Sequence, residues 1–92
     1  MMYKLCDGVV YEKVCGVHLL ISTRKMWNVL PEVKKISPLQ GGFCYGIQEG
    51  MSEDTLLDRL VLPKKIETDV LRTAYHRFTE KMLEEGYLIK EE

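Results

Sequence analysis

The chain lacks the marks of a catalyst. It has only two histidines, His18 and His76, far apart in sequence. Neither accompanies a Gly-x-Ser-x-Gly or cysteine signature, so no nucleophilic constellation is legible. A glycine-rich phosphate loop is missing too, because Gly41-Gly42 lacks the GxxxxGK[ST] frame. The cysteines are three, Cys6, Cys15 and Cys44, without CxxC spacing. That pattern argues against a metal site and fits free thiols in a reducing cytoplasm. No apolar run approaches about 18 residues, so no membrane span is expected. The opening MMYKLCDG has no apolar h-region, so a signal peptide is not expected either. Paired carboxylates occur at Glu53/Asp54 and Glu84/Glu85, but these are adjacent and fall at helix ends, where charge serves the helix dipole or is solvated. The expectation is therefore a protein that is not an enzyme, with no catalytic residue, metal or cofactor.

What is present is a 92-residue chain with 46% hydrophobic and 29% charged residues, the make-up of one ordinary globular domain over 1–92. A chain this short buries a modest core and leaves little room for a deep catalytic cleft, which favours a binding module. The net charge of −1 conceals an asymmetry. Residues 1–40 carry six Lys/Arg (4, 13, 24, 25, 34, 35) against three acids (7, 12, 32), and residues 41–92 carry seven against eleven. An acidic helical half argues against a helix that reads nucleic acid. The basic first half permits an acidic partner.

The chain switches from strand to helix patterning at Ser37-Pro38. Before it, residues 3–6 read as a short lead-in strand, and Asp7-Gly8 as a turn. Val9–Val14 and Val17–Ser22 read as a hairpin joined by Cys15-Gly16. Thr23–Pro31 reads as an irregular connection with Met26, Trp27, Val29 and Leu30 packed on something. Val33–Ile36 reads as a short third strand whose lysines protect an edge. Ser37 is suited to N-cap a helix with Pro38 at N1, and Gln40 completes a capping box. That helix places Leu39, Phe43, Gly46 and Ile47 on one face and stops at Gly50. Glycine costs about 0.8–1 kcal/mol inside a helix, so Gly41 and Gly42 call for close packing against the sheet or the third helix. A second helix starts at Ser52, presents Leu56, Leu57, Leu60 and Val61, and ends at Pro63. A third runs from about Thr68 to Glu85 on a stripe of Leu71, Ala74, Tyr75, Phe78 and Met82, with Gly86 closing it. Tyr87-Leu88-Ile89 folds back as an apolar tail. The fold class is α+β, a three-stranded antiparallel sheet followed by three helices.

One constellation invites a partner. If Val33–Ile36 is an edge, its backbone can pair with an extended peptide. The third helix would wall the groove with Leu71, Arg72, Tyr75, His76 and Thr79, and Lys34 and Lys35 would favour Asp or Glu in the peptide. Spacing alone reads more simply as a protected edge and a solvated helix face.

The ordered set of motifs resembles the PqqD-like family of precursor-peptide recognition elements. The residues that carry the resemblance are Gly8-Val9-Val10 with Val14-Cys15-Gly16, then Ile36-Ser37, Gly41-Gly42-Phe43-Cys44-Tyr45 and Gly50, then Ser52 with Leu56-Leu57, and finally Leu83 to Ile89. The family's usual Asn is Ser37 here, and its tryptophan falls at Cys44 or Tyr45. The resemblance implies a winged-helix-like fold and a non-enzymatic peptide chaperone in the cytoplasm. Such a protein binds the leader of a ribosomally made precursor as an added strand beside Val33, Lys34, Lys35 and Ile36, against the third helix. It presents the leader to a radical S-adenosylmethionine enzyme, as in pyrroloquinoline quinone synthesis. A winged-helix nucleic-acid-binding or regulatory protein is the alternative, and a monomer or a homodimer fits equally.

Overall fold

The computed structural model describes residues 2–22 and 32–91. The expected irregular connection Thr23–Pro31 lies outside the described residues. The elements are β1 (Met2–Leu5), β2 (Val9–Val14), β3 (Val17–Ser22), β4 (Glu32–Ile36), α1 (Pro38–Gln48), α2 (Glu53–Lys64), α3 (Thr68–Glu85) and β5 (Leu88–Glu91). The α+β layout is the expected one: an antiparallel sheet in the order β2-β3-β4, followed by three helices.

The hairpin turns at Cys15 and Gly16, with φ of 50° and 79°. Two positive φ values match the tight turn whose twist suits two antiparallel strands. Ser37 caps α1 as its sequence predicts. Its hydroxyl accepts from the Gln40 amide while Gln40 Oε1 accepts from the Ser37 amide. Ser52 likewise caps α2 through the Thr55 amide. Gly50 and Gly86 close α1 and α3 in the left-handed region, and Met51 and Tyr87 donate back to Gly46 and Met82.

Two expectations are corrected and one is sharpened. Pro63 does not end α2; the helix runs one residue further, to Lys64, and stops at Lys65 with φ 54° and ψ 40°. Pro63 lacks its N–H and crowds the preceding turn, but only Lys64 follows it in the helix, so little structure is left for the distortion to displace. Tyr87-Leu88-Ile89 folds back as expected, and does so as a strand: Leu88–Glu91 pairs with the lead-in strand Met2–Leu5 in a second, two-stranded sheet. Gly41 does pack on the sheet, where a Cβ would lie 2.1 Å from His18 Nδ1, but Gly42 and Gly46 face Leu60 and Leu56 of α2 rather than α3.

One face of the sheet carries Val9, Leu20 and Ile36 into a core completed by Phe43, Cys44, Ile47, Leu56, Leu57, Leu71, Tyr75, Phe78 and Met82. The Phe43 ring meets Tyr75 edge-on at 5.3 Å and Phe78 at 5.8 Å, which ties α1 to α3.

Candidate functional site: the edge of β4 and the cleft it enters

The direction of each backbone group on β4 follows from the ladder. Antiparallel partners alternate between pairs that exchange hydrogen bonds and pairs that turn away from each other. The Tyr11 amide points off the β2 edge, where Gln48 Oε1 accepts from it at 3.3 Å. Its partner Leu20 therefore directs its own groups to β4, where it pairs with Lys34. Lys34 is bonded to β3, and the amides and carbonyls of its neighbours Val33 and Lys35 face outward. Among the described residues β4 has one strand neighbour, so these groups form a sheet edge.

β4 leads directly into a cleft of about 620 Å³ between the start of α1 and one flank of α3. Ser37, Leu39, Gln40 and Phe43 line one side. Asp69, Val70, Thr73, Ala74, Arg77, Phe78 and Lys81 line the other. The floor is apolar, because it is made by Phe43 and Phe78, rings of the buried core. Arg77 and Lys81 set two cations on the wall against one acid, Asp69. At the far end of α3, Lys34 Nζ reaches Glu85 Oε1 at 2.9 Å and lies 5.9 Å over the Tyr87 ring. This pair holds β4 against the last turn of α3.

The residues expected to form the groove divide into three groups. Val33 and Lys35 are exposed on the face of the sheet away from the helices, Ile36 is buried on the helix side, and Lys34 is paired with Glu85. Leu71, Tyr75 and Thr79 are buried. They belong to the central stripe of α3 and leave no surface for a partner. Thr79 is satisfied within the helix, its hydroxyl donating to the His76 carbonyl at 3.1 Å. Arg72 and His76 face α2: Arg72 bonds Glu53 and Asp54, and His76 Nε2 lies 2.8 Å from Glu53 Oε1.

The open flank of α3 thus lies on the other side of the core stripe. Its residues 70, 73, 74, 77 and 81 follow helical spacing, and Val70 is an exposed apolar side chain at its start. That spacing was available in the sequence. Which flank α2 covers was not, since it depends on Glu53 meeting Arg72 and His76 across a turn.

Ionisation follows burial. Burial pushes the Tyr75 phenol up to about 12, with Glu53 and Tyr3 adding to the effect. Burial also pushes the Cys44 thiol up to about 12 and raises Tyr11, which Cys44 raises further. The hydrogen bond to Asp54, with Glu53 beside it, raises Arg72. These groups hold their neutral or paired states and offer no poised acid or base. All three cysteines are free thiols. Among the described residues, no group of three or more His, Cys, Asp or Glu side chains could hold a metal ion, and no helix is long and apolar enough to cross a membrane.

No protein-family model matches the chain, and neither the curated proteins nor the solved structures contain a match.

Proposed function

We propose that the protein is a non-enzymatic peptide-recognition module that binds an extended segment as an added strand on β4. One observation carries the reading: an edge strand whose Val33 and Lys35 backbone groups face outward runs straight into an apolar cleft with cations on its wall. Main-chain pairing to an edge gives affinity that is indifferent to sequence, and a neighbouring pocket gives selectivity. A cavity of this volume takes one or two large side chains. The bound segment would pair with Val33 and Lys35, seat an apolar residue over Phe43 and Phe78, and bring an Asp or Glu to Arg77 or Lys81. Lys34 already has Glu85 as its partner, so the acidic preference rests on Arg77 and Lys81, with Lys35 on the outer face.

The family resemblance supplies the biological form of this reading. The segment is the leader of a ribosomally made precursor peptide, and the receiving partner is a peptide-modifying enzyme of the radical S-adenosylmethionine class. Selection from a random 12-residue display library tests the recognition step. Enriched sequences should pair an acidic residue with a large apolar one, and should fail to bind a Thr73→Trp variant, in which the indole fills the cleft. Enriched peptides that bind Thr73→Trp as tightly as the native protein contradict the proposal.

A further inference from the structure

The face of the β2-β3-β4 sheet turned away from the helices is unusually apolar. Val9, Leu20 and Ile36 point to the core, so alternation puts Val10, Glu12 and Val14 of β2, Val17, Leu19 and Ile21 of β3, and Val33 and Lys35 of β4 on the outer face. Val10 is 44%, Val14 47% and Val33 56% exposed, and the three β3 side chains between them are half-buried. An antiparallel sheet with one wet face normally sets polar residues there. Here only Glu12 and Lys35 are charged.

Those two charges are placed to some purpose. Glu12 pairs with Leu19, and Leu19 with Lys35, so one row across the sheet reads acid, leucine, base. The next row reads Val10, Ile21, Val33. A two-fold axis running along β3 between two stacked copies exchanges the outer strands. Each Glu12 then faces the partner copy's Lys35, while Leu19 meets Leu19, Ile21 meets Ile21 and Val10 meets Val33. An axis across the strands opposes Glu12 to Glu12 and Lys35 to Lys35 when it lies on the Leu19 row, and sets each charge against a valine when it lies between the Leu19 and Ile21 rows. The axis along β3 therefore pairs both charges with opposite ones, and an axis across the strands through these rows leaves them opposed or unpaired.

The geometry points to a face-to-face homodimer in which two of these sheets pack about 10 Å apart, Leu19 and Ile21 forming the centre and reciprocal Glu12–Lys35 pairs the rim. A face of three short strands lies at the small end of specific interfaces, so the dimer is weak and concentration-dependent. It uses the outer face and leaves the β4 edge and the α1–α3 cleft open, and so stands whether or not a peptide binds there.

Sedimentation equilibrium over a range of protein concentrations tests it. Glu12→Lys and Lys35→Glu, both at exposed positions, should each weaken dimerisation about tenfold or more, because each turns both rim pairs repulsive. An equimolar mixture of the two variants should recover a heterodimer, since every rim pair is then opposite in sign. Leu19→Asn should leave a monomer whose circular dichroism is unchanged. A native chain that stays monomeric to millimolar concentration, or single variants that dimerise as well as the native chain, or a mixture no tighter than its components, overturns the inference.

Discussion

Val33 and Lys34, neighbours on β4, send their amides to opposite sides of the strand. The Lys34 amide belongs to the ladder with Leu20, and the Val33 amide faces away from β3. Proline substitution separates the two. Val33→Pro removes a donor only from the edge and is tolerated there. It should keep the native melting temperature within a few degrees while weakening peptide binding by about fivefold to tenfold, the loss of one hydrogen bond. Lys34→Pro removes a ladder hydrogen bond and the Lys34–Glu85 pair, and should melt clearly below Val33→Pro. Thermal melts and peptide titrations of both variants check the assignment of the two amides.

The two flanks of α3 should also separate. Arg77→Glu and Lys81→Glu reverse charge on the cleft wall and should weaken an acidic peptide while leaving stability within about 0.5 kcal/mol, as surface substitutions usually do. Arg72→Ala and His76→Ala instead remove the partners of Glu53 and Asp54 that join α3 to α2. They should lower the urea midpoint slightly, since solvent screens exposed pairs, and leave peptide affinity unchanged. Urea denaturation beside peptide titration reads both.

Gly41 is held to its identity by His18. A Cβ there would sit 2.1 Å from His18 Nδ1, the atom that Tyr11 Oη approaches to 2.7 Å. Gly41→Ala gains about 1 kcal/mol of helix propensity. The forced movement of the ring costs more, so a net loss of about 1–2 kcal/mol is expected. His18→Ala in the same chain removes the clash, and the double variant should be less destabilised than the sum of the two singles.

Alkaline pH should loosen the fold. Cys44, ordinarily 9.0, and Tyr75, ordinarily 10.0, are both pushed up to about 12 by burial. The folded state thus keeps protons that the unfolded chain releases. The stability linked to these groups is complete below pH 9 and falls as pH rises from 9 to 12. In Cys44→Ala the onset of the decline should move from above pH 9 to above pH 10. Urea midpoints at intervals between pH 8 and pH 11.5 measure the shift.

Local chemistry made much of the fold legible. Ser37, Pro38 and Gln40 specify the start of α1, and Gly86 the end of α3, because cap geometry is settled within a few residues. The β1–β5 pair was not legible as a pair. Its strands are four residues each, too short for a period, and they meet from opposite ends of the chain. Pro63 misled because its effect depends on distance from the helix end. The site was half legible. Val33–Ile36 could be recognised as an edge from its lysines, but the stripe of α3 identifies the buried face without saying which flank a neighbouring helix covers. Glu53 decides that, from 19 residues before Arg72.

Amide chemical-shift mapping of a display-selected peptide bound to the isotope-labelled protein tests peptide addition to β4 most directly. Shifts should concentrate at residues 33–36, 37–43 and 70–81, with the Val33 and Lys35 amides newly protected from hydrogen exchange and the Arg72 and His76 region unmoved. Shifts centred on the α2–α3 seam around Glu53 and His76, with Val33 and Lys35 exchanging as fast as in the free protein, would contradict it.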